Sequence, residues 1–236
     1  MAGPLIAIDG PAGAGKTTVA RAVARELGAA LLDTGAIYRS LAWLARERGV
    51  DWGDEPALAT LAESLRIEFV PAPASEPDSP QRVLVRAPES ADVTAVIRTP
   101  EVSEGASRVS SLPAVRGALL GIQRAIAAKA VEAGGCVAEG RDMGTVVFPN
   151  TPHKFFLTAS SGARADRRYR ELVAKGVAET SVGEVEAQMR VRDQRDSSRD
   201  SAPLRQADDA TLVDSSEMGV EQVVTHILAA VRASPV

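Results

Sequence analysis

The chain has 236 residues, 45% of them hydrophobic and 25% charged, with a net charge of −4. This is the make-up of a globular protein able to bury a substantial core, as one domain with inserts or two small ones, and its acidic balance argues against general affinity for nucleic-acid backbones. Aromatics make up only 3%, so the core rests on Ala, Val, Leu and Ile, and the single cysteine, Cys136, excludes an internal disulfide and fits a reducing compartment.

The first predicted element is a strand, Leu5–Asp9. It runs into GPAGAGKT at residues 10 to 17, which fits the phosphate-loop pattern GxxxxGK[ST]. A strand that ends in a glycine-rich turn and opens into a helix presents a row of backbone N–H groups, at the positive end of that helix, to an anion. The helix follows at 16–27, with Val19, Ala20, Val23, Ala24 and Leu27 on one face and Gly28 as its stop. Lys16 would reach the β- and γ-phosphates of a nucleoside triphosphate, and the Thr17 hydroxyl would ligate Mg2+. The N-terminus lacks a basic segment and its apolar run is short, so no secretory leader is expected.

Further strands are predicted at Ala30–Asp33, Cys136–Glu139, Lys154–Leu157 and Thr211–Asp214, each suited to the buried middle of a sheet. Helices are predicted at 37–48, 55–65, 100–110, 113–133, 161–175, 183–197 and 220–232. Asp54 with Pro56, and Thr99 with Pro100, mark helix starts, and Gly49 marks a stop. This alternation predicts a parallel sheet covered by helices. Residues 66–98 break it: the alternating runs Arg66–Val70 and Arg82–Ala87 flank PAPASEPDSP, which reads as a hairpin-like insert with a long tip. Residues 160–200 are crowded with arginines and carry no strand signal. The Ala/Leu/Ile-rich stretch 112–133 is interrupted by Arg116, Arg124 and Lys129, so it is no membrane span, and a cytoplasmic location is expected.

Several constellations can carry chemistry. Thr34, Tyr38 and Arg39 lie just past the second strand, at the end of the sheet where α/β proteins bind ligands, and an arginine there can clamp a phosphate or carboxylate. Glu139 ends the third core strand, where an acid can hold Mg2+ through water. Arg141 and Asp142 sit side by side in a Gly-flanked loop, a place where charges rarely gather for packing reasons. Arg190, Arg192, Arg195 and Arg199 alternate with Asp193, Asp196 and Asp200, and Arg192, Arg195 and Arg199 share one helical face. With Arg164, Arg167 and Arg168 upstream, these suit a closing lid that gathers positive charge around a moving phosphoryl group. His153 and His226 fall in no metal-ligand or triad spacing, no Cys/His cluster suggests zinc, and no guanine-recognition motif is present. The residues alone leave open a kinase for a small acceptor, such as UMP, AMP or a metabolite alcohol, or a non-catalytic nucleotide-dependent switch.

Taken together, the strings IDGPAGAGKTT, LLDTGAIYR, DVTAVIRTPEVSEGAS, AEGRDMGTVVFP and RDQRDSSR resemble the bacterial cytidylate kinase family in order and spacing, over almost the whole chain. The resemblance implies a phosphate-loop NTPase-type α/β fold. Its doubly wound five-stranded parallel sheet has order 2-3-1-4-5, a small β-containing NMP-binding insert and a helical lid. The core would span 1–65 and 100–236, the insert 66–98 and the lid about 160–200. It implies ATP as phosphoryl donor with Mg2+, CMP or dCMP as acceptor, and a monomer without nucleic-acid or membrane partners. The ATP site would comprise Gly10, Pro11, Ala12, Gly13, Ala14, Gly15, Lys16, Thr17 and Thr18, with Thr17 and Glu139 at the metal. CMP contacts carry over onto Thr34, Arg39, Ser107, Arg116, Arg141, Asp142, Arg192 and Asp196. Of these, Arg39, Arg141 and Arg192 would hold the acceptor phosphate, Ser107, Arg116 and Asp142 the cytosine edge, and Asp196 the sugar. Lys16, Arg141, Arg192, Arg195 and Arg199 would form the catalytic set. The proline-rich 71–80 tip, APESADVT after it, and glutamate rather than aspartate at 139 depart from the family's usual pattern.

Overall fold

Ile6, Ala7 and Ile8 are fully enclosed because the strand they form lies at the centre of a sheet. The computed structural model of the chain describes residues 2–73, 75–76, 79–86, 89–174, 176 and 180–233. Its elements run β1 (Leu5–Asp9), α1 (Lys16–Leu27), β2 (Ala30–Asp33), α2 (Thr34–Glu47), α3 (Glu55–Ser64), β3 (Arg66–Val70), β4 (Arg82–Arg86) and β5 (Ser90–Asp92). They continue with α4 (Pro100–Val109), α5 (Pro113–Ala133), β6 (Cys136–Gly140), β7 (His153–Thr158), α6 (Ser161–Ala174), α7 (Val182–Ser197), β8 (Thr211–Asp214) and α8 (Val220–Ala233). A 3-10 turn, Val96–Arg98, precedes α4, and a single π-helical turn, Met143–Val147, follows β6.

Two sheets form. The larger has the order β2-β6-β1-β7-β8, and β1 pairs in parallel with β6 and β7, as β7 does with β8. Counted among themselves in chain order, its strands read 2-3-1-4-5, the order expected; the numbers differ only because three strands of the other sheet intervene. That second sheet, β3-β4-β5, is antiparallel. The expected two-stranded hairpin thus gains a third strand. Ser90-Ala91-Asp92 has no apolar alternation to announce it, and only pairing with β4 makes it a strand. Ala87, where the second run was expected to end, lies outside the described residues, as do Ala74, Pro77 and Asp78 of the tip and Lys175 at the end of the helix expected over 161–175.

The chain divides into two compact units, Met1–Leu31 with Lys129–Val236, and Leu32–Ala128. In the first, α1 and α8 bury Val19, Val23, Val223, Ile227 and Val231 together with Ile6, Ile8 and Phe155 of the sheet. In the second, α2 packs on α3 and α4. Trp52 donates its indole N–H to the Ala42 carbonyl at 2.9 Å and lays its ring over Gly105 of α4. Asp54 and Thr99 cap α3 and α4, as the sequence predicts, and Asp33 starts α2 at Thr34, a turn before the apolar periodicity begins, by accepting the Ala36 N–H at 2.8 Å. Among the described residues, no helix is long and apolar enough to cross a membrane.

Candidate active site

The phosphate loop leaves β1 at Gly10, whose φ of 152° suits glycine and whose added Cβ would strike the Leu157 carbonyl oxygen at 1.9 Å. Helix α1 then begins after Gly15 with no side-chain cap and no acidic residue in its first turn. No residue of the turn itself therefore competes with an anion for its leading N–H groups. Lys16 is buried, and its ammonium donates to the Pro11 carbonyl at 2.8 Å. Burial, reinforced by the nearby Arg141 guanidinium, pushes its pKa down to about 7. A polyphosphate in the loop would add its counter-charge to that of Glu139 and Asp196, which already act on this ammonium.

The Thr17 hydroxyl donates to Glu139 Oε1 at 2.5 Å. Glu139 is buried near the end of β6, in register with Ile8 of β1, so the sheet itself carries the carboxylate to the loop. Two oxygen donors of this kind fit Mg2+, which prefers oxygen ligands and takes few from protein when phosphates and water provide the rest. Among the described residues no group of three or more His, Cys, Asp or Glu is placed to hold a metal ion.

A network of arginines and aspartates surrounds the loop. Arg141 donates through Nη1 to the Gly10 carbonyl at 2.9 Å and through Nε to Asp196 at 2.7 Å. The other oxygen of Asp196 pairs with Arg199. Burial would raise the Asp196 pKa, but the Arg141 and Arg199 guanidiniums hold its carboxyl below the ordinary range. Arg192 also acts electrostatically on Lys16 and Asp196, and Arg195 lies half-buried on the same helix. Asp142 is buried at the start of the π-helical turn, its carbonyl accepting from the N–H groups of Val146 and Val147. Between α6 and α7 lies a cleft of about 420 Å³, lined in part by Ser161, Arg164, Met189 and Asp193.

The remaining expected site residues lie in the second unit. Arg39 is held by Asp33 at 2.8 Å, so the carboxylate that caps α2 also aims this guanidinium. Thr34, in the first turn of α2, and Ser107, in α4, are both buried. Arg116 donates to the Ser110 carbonyl at 3.1 Å and lies 5.6 Å from the centroid of the Tyr38 ring, while the Ser110 hydroxyl donates to the Ser107 carbonyl. The structure therefore groups Lys16, Thr17, Glu139, Arg141, Arg192, Asp196 and Arg199 in one unit, and Thr34, Arg39, Ser107 and Arg116 in the other.

Sequence reasoning overlooked Asp9. Its two carboxylate oxygens accept the Met143 and Gly144 N–H groups, each at 2.8 Å, which fixes the loop carrying Arg141 and Asp142. Burial pushes its pKa up to about 6 despite those two bonds. An acid closing an otherwise apolar strand was the available signal. Asp193, passed over as one of several lid aspartates, accepts the Ala12 N–H at 3.1 Å and pairs with Arg164. The contact between Tyr38 and Arg116 had no spacing signature, since the two lie 78 residues apart along the chain.

A family-wide sequence profile described as cytidylate kinase matches residues 6–233. The chain is 53% identical over 225 residues to the cytidylate kinase of Pseudomonas aeruginosa strain LESB58, covering 95% of this chain and 93% of that one. It is 50% identical over 224 residues to the cytidylate kinase of Pseudomonas entomophila strain L48, with the same coverage. Among solved structures, an uncharacterized protein from Eubacterium ventriosum ATCC 27560 superposes with a TM-score of 0.51 at 11% identity, covering 98% of this chain and 99% of that one, a likeness of fold alone.

Proposed function

The chain belongs to the cytidylate kinase family, and from that premise we propose that it transfers the γ-phosphoryl group of ATP to CMP or dCMP, giving ADP and CDP or dCDP. The observation that carries the reading is the gathering of Lys16, Arg141, Arg192 and Arg199 about a phosphate loop. The protein has little covalent chemistry to perform in such a transfer; rate comes from in-line positioning and from positive charge set where the transition state is negative.

In this reading Gly10–Thr18 hold the ATP phosphates, with Lys16 on the β- and γ-oxygens. Thr17 and Glu139 hold Mg2+, which neutralises charge on those oxygens when bound. Arg39, Arg141 and Arg192 hold the acceptor phosphate, and Thr34 adds a further contact to the monophosphate nucleotide. Ser107, Arg116 and Asp142 meet the cytosine edge and Asp196 the sugar. Residues 66–98 serve as the acceptor-side insert and about 160–200 as the lid, whose closure brings Arg195 and Arg199 onto the phosphates and excludes water. The enzyme works as a cytoplasmic monomer on free nucleotides, without nucleic acid or membrane.

A switch protein would have no use for so many guanidiniums around its nucleotide, and a kinase for another acceptor would share the phosphate loop but not the cytosine-side residues. ADP production from MgATP, measured with CMP, dCMP, UMP, AMP and GMP at equal concentration, separates the three. Strong preference for the cytosine nucleotides is the expected result. Preference for another base overturns the acceptor assignment, and ATP hydrolysis indifferent to acceptor overturns the kinase reading.

A further inference from the structure

Both hydrogen-bonding groups of the Ala12 backbone are taken by α6 and α7. The N–H donates to Asp193 Oδ1 at 3.1 Å, and the carbonyl accepts from Arg164 Nη1 at 3.0 Å. These two side chains are joined in turn, Nη1 of Arg164 to Oδ2 of Asp193 at 2.5 Å, with only 13% and 19% of their surfaces exposed. Arg164 also donates through Nε to the Ala159 carbonyl, which anchors it to its own helix start.

Apolar packing repeats the polar pattern. Ala12 sits in a small cluster with Val185 and Met189, backed by Tyr169 and Leu172. At the neighbouring Gly13 an added Cβ would lie 2.5 Å from the Met189 methyl and 3.0 Å from the Arg164 carbonyl oxygen, so the helices close over the loop with no space left for a side chain. A carboxylate whose two oxygens face different donors is a bridge: one holds the loop backbone, the other the partner helix.

We propose that Asp193 and Arg164 are positioning residues that fasten α6 and α7 to the tip of the phosphate loop at Ala12–Gly13, so that one contact sets both loop shape and lid placement. Neither side chain need touch a reacting atom, and the consequence for turnover, though not the contact itself, rests on the kinase reading above. When phosphates settle in the loop, any shift of Ala12 is transmitted to α7 through Asp193 and to α6 through Arg164. The same helix α7 carries Arg192 and Arg195, so ATP binding and the placing of those arginines become one event.

The test uses the full-length Asp193→Ala and Asp193→Asn variants. Without nucleotide, hydrogen exchange in the segment spanning residues 10–14 should speed by about tenfold in Asp193→Ala, and by less in Asp193→Asn, which keeps an acceptor for the Ala12 N–H. In the kinase assay, the KM for ATP should rise by about tenfold in Asp193→Ala, and the KM for CMP, reached only through Arg192 and Asp196 of α7, should rise clearly less. Unchanged exchange in a variant with the wild-type circular dichroism overturns the fastening, as do equal shifts in both KM values. Should Asp193→Ala fail to fold, Asp193→Asn combined with Arg164→Met, which removes the ion pair and the bond to the Ala12 carbonyl but keeps an acceptor for the Ala12 N–H, decides on the same two readouts. A wild-type protein inactive on CMP sinks the kinase reading alone, because the exchange arm still decides the fastening.

Discussion

Thr17 and Glu139 stand 122 residues apart in the chain, yet their side-chain oxygens lie 2.5 Å from each other. The phosphate-loop pattern placed the hydroxyl, and the strand-end position placed the carboxylate. Glu139→Gln keeps the shape and the acceptor for Thr17 but removes the charge. The Mg2+ concentration for half-maximal activity should therefore rise by about 10–100-fold, read from ADP production across a Mg2+ titration. An unchanged requirement would take Glu139 out of the metal site. Asp142 belongs to the same scale. Its truncation to alanine should cut the CMP-over-UMP ratio of kcat/KM by roughly an order of magnitude or more, with a smaller effect on the KM for ATP. Retained selectivity would end its assignment to the base. Other site residues were legible only as charges. The bridge from Asp196 to Arg141, 55 residues away, follows from how α7 lies against the loop after β6, whereas its pair with Arg199 joins residues three positions apart.

At the scale of elements, periodicity and capping carried most of the information. Every core strand and helix lies where its apolar pattern put it, give or take a turn at the ends, because a buried face must repeat with the geometry of the backbone. The failures have physical causes. Strand β5 owes its existence to β4, and the first turn of α2 owes its start to the Asp33 cap rather than to apolar spacing. Helix contacts were likewise invisible in the sequence. Gly105 of α4 reads as a poor helix residue, yet the Trp52 ring lies 2.5 Å from where its Cβ would be. Gly105→Ala should thus destabilise the protein by about 1–3 kcal/mol despite its better helix propensity. Thermal unfolding checks this: a melting temperature several degrees lower is expected, and an increase would mean that Trp52 yields freely.

For the whole molecule, stability should follow the buried ionisable groups. His153 opens β7 and is buried, and burial holds its pKa below 6.5. The unfolded chain therefore takes up the proton first. This contribution is intact above pH 6.5 and is lost progressively as the pH falls below that value. Asp9 acts in the opposite sense: its raised pKa makes the folded state bind the proton first, so its contribution grows as pH falls from about 6 toward 4. Comparing wild type with His153→Gln isolates the histidine. The difference in urea midpoint between them should shrink from pH 7.5 to pH 5, and a constant difference would remove His153 from the acid response.

By itself, the sequence determined the strand–loop–helix of the phosphate-loop pattern, the order of core elements and the family, because these rest on short-range spacing and on the chemistry of single residues. Only tertiary structure decided which charge holds which. The bonds from Asp9 to Met143 and Gly144, from Arg141 to Gly10 and from Asp193 to Ala12 span 131 to 181 positions. Their partners leave no periodic trace along the chain, since distance in sequence says nothing of direction in space until the sheet and helices are assembled. The same holds for the division into two units. It is a property of packing, and no composition break at residue 31 or residue 129 announces it.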